Sequence, residues 1–347
     1  MKKAYLTGIR EMTLRDVPDP PAPLQGEVRI RLTTIGVCGS DIHYFREGRI
    51  GAQVVEFPFA VGHECAGVID QLGPGVEGLS PGQRVAVDPL VTCGQCDQCR
   101  NGRENTCRNQ RFLGCPGQIE GAMSEFIVLP ARCAFAIPDS MSFDQAVMVE
   151  PFAIGLWAQK LAGEMAGKTA AILGAGPIGL CTLQAVKASG DCDVCVTDLL
   201  DYRVEKARAT GADWAANAAG TDVVSEILRR HPDGVDFVFE AAGQQDTVDQ
   251  AGQVLTPGGK MLLIGIPDGN RLSFDMNDWR RRELGVQNVR RQNGCTDEAI
   301  AIVAEGKVQL DPQVTHHFPL AESQAAFDLV ADYADGAVNA VVNVEAD

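Results

Sequence analysis

The first 150 residues alternate apolar and polar positions in short runs. GEVRIRLTTIGVC, residues 26–38, alternates with a period of two and is rich in β-branched side chains, which predicts a strand with one buried face. ECAGVIDQLGPGVEGLSPGQRVAV reads as strand, Gly/Pro turns and strand, and SEFIVLPARCAFAIP continues the style. Many short strands punctuated by Gly and Pro predict a barrel-like β domain. The pattern changes near Pro151. TAAILGAGPIG is a buried strand running into glycines, LCTLQAVKASG has helical spacing, DVCVTD is a second strand and YRVEKARATG a helix closing at Gly211. VDFVFEAAG and KMLLIGIP add two more strands, each ending at glycines. Strands alternating with helices predict a parallel sheet covered on both faces. Beyond about Arg291 come a helix (DEAIAIVAEGK), a strand-like VTHHFPL, a helix around AESQAAFDLV and a final strand, AVVNVEAD.

Composition narrows the chemistry. A length of 347 residues suits two domains. The net charge of −16, with no long basic run, argues against a nucleic-acid partner. No run of about 18 apolar residues is present, and the N-terminal MKKAYLTGIREMTLRD lacks a signal peptide's apolar core. The expected compartment is therefore the cytoplasm. There, clustered cysteines point to metal or catalysis rather than disulfides.

Gly174-Ala175-Gly176-Pro177-Ile178-Gly179 is a GxGxxG turn that directly follows an apolar strand and opens a helix, the context a dinucleotide site needs. The first glycine permits the turn, the second lets the backbone approach a pyrophosphate, and the third lets helix and strand pack closely. The helix N-terminus favours the negative charge. Asp198 closes the next strand and can accept hydrogen bonds from both ribose hydroxyls, which favours NAD over a 2′-phosphorylated cofactor. Arg203, one turn into the following helix, can lie over the adenine or be a plain surface residue.

Cys93, Cys96, Cys99 and Cys107 follow the spacing C-x2-C-x2-C-x7-C. Four thiolates on one polar loop suit a closed tetrahedral zinc, which staples structure and leaves no position for substrate. A catalytic zinc needs mixed ligands and an opening. Cys38 in GVCGSD and His63-Glu64 in VGHE offer a thiolate, an imidazole and a carboxylate, and Glu150 in MVEPF offers another carboxylate. A thiolate plus one carboxylate neutralises Zn²⁺, and a second carboxylate would weaken the Lewis acid. One of Glu64 and Glu150 is thus expected to ligate while the other acts through water. Taken singly, Cys38 also reads as a buried thiol, His63 as a core histidine and Glu150 as a helix N-terminal acid.

Together these segments resemble the zinc-containing medium-chain alcohol dehydrogenases, over essentially the whole chain, and within them the sorbitol/xylitol (polyol) dehydrogenase branch. GVCGSDIHYF, GRIGAQVVEFPFAVGHECAGVI, VEPFAIGLWA, GAGPIGL with VTDLLDYRVEKARATGAD, and NVRRQ carry the resemblance. It implies an α/β fold: a GroES-like β-rich catalytic domain (1–151, with a structural-zinc lobe at 93–107), a Rossmann doubly wound parallel-sheet domain (152–291), and a C-terminal segment (292–347) returning to the first domain. It implies two Zn²⁺ per chain, catalytic at Cys38, His63, Glu64 and Glu150, structural at Cys93, Cys96, Cys99 and Cys107. Ser40 and His43 match a proton relay, and Tyr44 and Arg291 a substrate pocket in the cleft between domains. Gln292 and the segment RFLGCPGQIEGAM depart from the animal sorbitol enzymes, which bears on the substrate and not the reaction.

The expected activity is NAD-dependent interconversion of a secondary alcohol of a polyol, or related sugar-derived alcohol, and its ketose. The same motifs serve dehydrogenases of threonine, butanediol, inositol or a sugar acid. A phosphorylated sugar would need Arg111 or Arg280 to Arg282. A non-catalytic zinc- and dinucleotide-binding module would need no open ligand set. By resemblance the assembly is a homotetramer, with a dimer as the alternative.

Overall fold

A computed structural model describes residues 1–344 apart from Asp268 and Asn270. The last three residues of the expected strand AVVNVEAD lie outside the described residues. The chain divides into two compact units, Met1–Glu150 with the segment from Thr296 onward, and Pro151–Cys295.

The first unit is built on a seven-stranded sheet. Its order runs Ala134–Ala136, Arg84–Val87, Cys65–Leu72, Glu27–Gly36, Asn339–Asn343, Val314–Pro319, and Phe126–Pro130 also pairs with Glu27–Gly36. The alternation read in GEVRIRLTTIGVC is borne out: Val28, Ile30, Leu32 and Ile35 are fully buried, and they pack with Phe45, Ile69, Val85 and Phe327 into one core. The C-terminal strand Asn339–Asn343 runs antiparallel to Glu27–Gly36, with Val341 opposite Gly36. That pairing brings residues about 300 positions apart to one end of the central strand. Helix Gly39–Glu47 follows at once and stops at Gly48, whose φ of 67° permits the left-handed cap that donates to the Tyr44 carbonyl at 2.9 Å.

The second unit is a six-stranded, all-parallel sheet in the order Trp214–Asn217, Cys192–Asp198, Lys168–Leu173, Val235–Glu240, Leu255–Leu263, Gly285–Asn288. Numbered within the unit, this is 3-2-1-4-5-6, the doubly wound order that binds dinucleotides where the strand order reverses. Four of its strands were expected from their apolar runs. The two edge strands, four residues each with few buried positions, carry no comparable signal. Among the described residues no helix is long and apolar enough to cross a membrane.

Candidate metal and dinucleotide sites

The end of strand Glu27–Gly36 and the start of strand Cys65–Leu72 lie side by side, joined by Gly36 N–H donating to the Glu64 carbonyl at 2.8 Å. This pairing brings together residues more than twenty positions apart. One donor atom each of Cys38, His63 and Glu64 lies within 4.8 Å of the others. Cys38 precedes the first turn of helix Gly39–Glu47, where the helix dipole favours a thiolate. Gly36 makes room for the carboxylate, because a Cβ there would stand 2.3 Å from Glu64 Oε2. Gly62, at φ 98°, turns the chain into His63.

Asp41 organises this group and was not singled out by its sequence pattern. It is fully buried. Its Oδ2 accepts from Cys38 N–H at 3.3 Å and its Oδ1 from Gly62 N–H at 3.2 Å, while Oδ1 lies 3.4 Å from His63 Nδ1. A carboxylate behind an imidazole fixes its tautomer and orientation, the usual outer support of a metal-binding histidine. Phe112 packs against the His63 ring, centroids 5.3 Å apart and tilted by 53°. Asn339, the other residue that local sequence gave no reason to choose, is 1% exposed, donates from Nδ2 to Met148 Sδ at 3.0 Å, and stands near enough to the Glu64 carboxyl to pull it down slightly.

The chemistry of the donor set fits a divalent cation. Burial pushes the Cys38 thiol up to about 11, reinforced by the Glu64 charge. Burial also pushes the Glu64 carboxyl up to about 7, against the pull of His63. Desolvation on its own lowers the His63 imidazole, but the charges of Asp41 and Cys38 outweigh it and carry the group well above its ordinary value. Glu64 Oε2 is buried without a hydrogen-bond partner. A cation here offsets the desolvation of the Cys38 thiolate and the Glu64 carboxylate at once, and takes the neutral His63 imidazole as its third donor. Glu150 is buried at the first turn of helix Val149–Ala162 and stands outside the mutually close set. Its charge is felt at Cys65, next to Glu64.

Of the expected relay, Ser40 Oγ lies 3.5 Å from Cys38 Sγ. His43, partly exposed, lies one turn on with Nδ1 3.8 Å from Glu47 Oε1. Tyr44 is buried; its hydroxyl donates to Gln53 Oε1 at 3.2 Å and sits 4.0 Å from Cys115 Sγ. Gln53 Nε2 donates to the same sulfur at 2.9 Å. RFLGCPGQIEGAM, where the chain departs from the animal enzymes, thus supplies the ring against His63 and the thiol beside Tyr44. Arg291, in the second unit, has a left-handed backbone with φ 51°. Gln292 is buried and accepts from Cys295 N–H at 2.8 Å.

Cys93, Cys96, Cys99 and Cys107 also converge. Sulfur–sulfur distances are 3.5 Å for Cys96–Cys99, 3.9 Å for Cys96–Cys107 and 3.5 Å for Cys93–Cys107. Bonds of about 2.3 Å to a tetrahedral zinc place sulfurs about 3.8 Å apart, so the four fit that ion. Backbone N–H groups led by that of Gln95 lower the Cys93 thiol to about 6, and Cys99 and Arg108 backbone groups lower Cys96. Burial raises Cys99 to about 12.

In the second unit Gly176 precedes helix Pro177–Ser189, with Pro177 at its first position. Gly174 has φ 102°, and its Cβ would crowd Ala241 and Ala242 at 3.0 Å. A Cβ on Gly179 would come 1.9 Å from the Gly174 carbonyl oxygen, so only glycine closes this turn. At Gly176 the nearest foreign atom is Arg203 Nη1 at 3.6 Å, which leaves the backbone accessible to a phosphate. Ile178 follows in the first helical turn. Asp198 accepts from Ala175 N–H at 2.7 Å and Leu200 N–H at 3.0 Å, and Arg203 Nη1 lies 3.7 Å from its Oδ2. A carboxylate has about four acceptor positions, so capacity for ribose hydroxyls remains.

Comparison with known proteins agrees with this geometry. Residues 24–139 match the alcohol dehydrogenase GroES-like domain and residues 177–305 the zinc-binding dehydrogenase domain. The chain is 35% identical to the sorbitol dehydrogenase of Bacillus subtilis (strain 168), covering 99% of this chain and 97% of that one. Its structure is similar to an alcohol dehydrogenase from E. coli CFT073 complexed with NADH (TM-score 0.91, 30% identity, 99% of each chain). It is also similar to the 2R,3R-butanediol dehydrogenase of Bacillus subtilis (TM-score 0.88, 28% identity, 99% of each chain).

Proposed function

The chain belongs to the zinc-containing medium-chain alcohol dehydrogenases, and from that premise we propose that it interconverts a secondary alcohol of a polyol, sorbitol- or xylitol-like, and the corresponding ketose, with NAD as the hydride acceptor. One observation carries the reading: a half-buried thiol and a buried imidazole and carboxylate, Cys38, His63 and Glu64, converge within 4.8 Å, a ligand set with a position left for substrate. When bound, zinc supplies Lewis-acid polarisation of the alcohol oxygen and the nicotinamide supplies the hydride-accepting carbon.

The residues divide the remaining work. Cys38, His63 and Glu64 hold the ion, with a net −2 from thiolate and carboxylate that balances its charge. Asp41 holds His63 in register. Glu150, outside the set, acts through water. Ser40, within 3.5 Å of Cys38 Sγ, takes the hydroxyl proton as it releases its own, through the ribose hydroxyl or water, towards His43, which is partly open to solvent. Tyr44, held by Gln53 and Cys115, gives the substrate side a hydroxyl and an aromatic face. Gly174, Gly176 and Gly179 let the backbone meet the pyrophosphate, and Asp198 takes the ribose hydroxyls. Cys93, Cys96, Cys99 and Cys107 hold a second, structural zinc.

The 35% identity to a sorbitol dehydrogenase supports the polyol; likeness to a butanediol dehydrogenase keeps a shorter diol as the second reading. Twelve cysteines with no disulfide among them suit the reducing cytoplasm, and a homotetramer is the assembly we take from the family. A panel of polyols, butanediol, threonine, inositols and sugar acids, assayed by NADH absorbance with wild type and Cys38→Ser, tests the proposal. The expected result is fastest turnover on a polyol with NAD and loss of turnover in the variant. Unchanged turnover in Cys38→Ser refutes the ligand set. Preference for a non-polyol refutes the substrate class alone.

A further inference from the structure

A third group of metal-binding donors lies in the second unit, apart from both sets above. Asp193 and Cys195 are two positions apart on strand Cys192–Asp198, so their side chains point to the same face. His231 caps the end of helix Val223–Arg230. One donor atom of each residue lies within 4.8 Å of the other two. His231 is locked in place by its backbone: its N–H donates to the Ile227 carbonyl at 2.8 Å and its carbonyl accepts from Gly234 N–H at 2.9 Å.

The environment asks for an occupant. His231 Nε2 is buried and has no hydrogen-bond partner; its nearest carboxylate oxygen, Asp193 Oδ1, is 3.8 Å away, beyond hydrogen-bond range. Leaving such a nitrogen unsatisfied destabilises the fold. Cys195 is 1% exposed, while the Asp193 side chain is 53% exposed and opens the group to solvent. A nearby positive charge, Arg230, is drawn over the Trp214 ring at 5.0 Å. Asp213, whose negative charge also reaches Cys195, is itself paired with Lys187 at 2.7 Å.

We propose that Asp193, Cys195 and His231 form a third divalent-cation site, specific for a borderline ion such as Zn²⁺ or Co²⁺. Thiolate and imidazole donors select these ions over Mg²⁺ and Ca²⁺, and thiolate plus carboxylate balance the charge. Three protein donors leave the solvent side to water, so this ion exchanges more readily than one held by four thiolates. Asp193 precedes Asp198 by five residues, about 16 Å along a strand. The ion therefore ties the amino end of the strand to the helix end without reaching the dinucleotide turn, and it acts on stability rather than turnover.

The test is a Co²⁺ titration of enzyme dialysed until it retains two zinc ions per chain, following thiolate-to-cobalt charge-transfer absorption, with zinc content measured at each step. The expected result is one further equivalent per chain bound with that band while resident zinc stays constant, and a rise in Tm from the binding. His231→Ala should lose the band and the Tm rise. Asp193→Asn, at an exposed position that does not endanger the core, should weaken Co²⁺ at least about tenfold. Both variants should keep wild-type activity without added Co²⁺. No additional equivalent, a band that grows only as zinc leaves, or equal binding by both variants would overturn the proposal.

Discussion

Asp41→Asn is the substitution that most cleanly separates the support of the mixed ligand set from the fold around it. The two side chains have the same shape, but Asp41 uses each oxygen to accept a backbone N–H, from Cys38 and from Gly62. Asparagine has one oxygen, so one of these donors meets an amide N–H₂. The lost charge-assisted bond and the exposed donor together cost about 2–4 kcal/mol of stability. His63 also loses the carboxylate 3.4 Å from its Nδ1, and loss of such outer support costs 10–100-fold in metal affinity, about 1.4–2.7 kcal/mol. Zinc affinity is measured by chelator competition, and stability by urea unfolding of the zinc-saturated and zinc-stripped enzyme. Because zinc binds the folded state, the stability loss should be larger in the saturated form by the affinity term. Equal losses in both forms, with zinc affinity within about twofold of wild type, would show that Asp41 supports only the backbone.

Three further outcomes are expected. Asp198→Ala should lower the preference for NAD over NADP by about 10–100-fold, the worth of hydrogen bonds to a charged group; initial rates with both cofactors read it, and an unchanged ratio refutes the ribose role. Cys107→Ser should remove one zinc per chain by metal analysis and lower Tm while leaving the Cys38 ion in place; unchanged zinc content refutes the four-thiolate site. A cation must displace the proton from each donor, so raised groups surrender it at higher pH. Cys38, His63 and Glu64 are all raised, whereas in the four-cysteine lobe Cys93 and Cys96 are lowered and Cys99 is raised. As pH falls, the mixed set should therefore release its zinc first, and a chromophoric chelator should record two phases, the earlier one missing in Cys38→Ser. Release in the opposite order contradicts the assignment.

The parallel sheet was legible because its central strands are continuous apolar runs that end in glycines. Its edges were not, since Trp214–Asn217 and Gly285–Asn288 bury too little to leave a pattern. The four-cysteine lobe was legible from local spacing. The mixed ligand set was legible by residue type, but its convergence depends on the pairing of Gly36 with Glu64 across the sheet; only the family resemblance supplied that step. Asp41 sits inside a motif that was noticed, yet an acid at a helix start reads as an ordinary cap. Asn339 is brought near Glu64 by sheet pairing from a distant part of the chain, and no local pattern announces it. His231 lies 36 residues after Cys195 at a helix end, which hides the third group of donors in the same way.

Anomalous diffraction from crystals of the zinc-loaded enzyme at the zinc edge tests the account most directly. A peak bonded to Cys38 Sγ, a His63 ring nitrogen and a Glu64 oxygen, at about 2.0–2.3 Å, is the predicted result. Zinc at the four-cysteine lobe with no peak at Cys38, or Cys38 and His63 bound to no common ion, would contradict it.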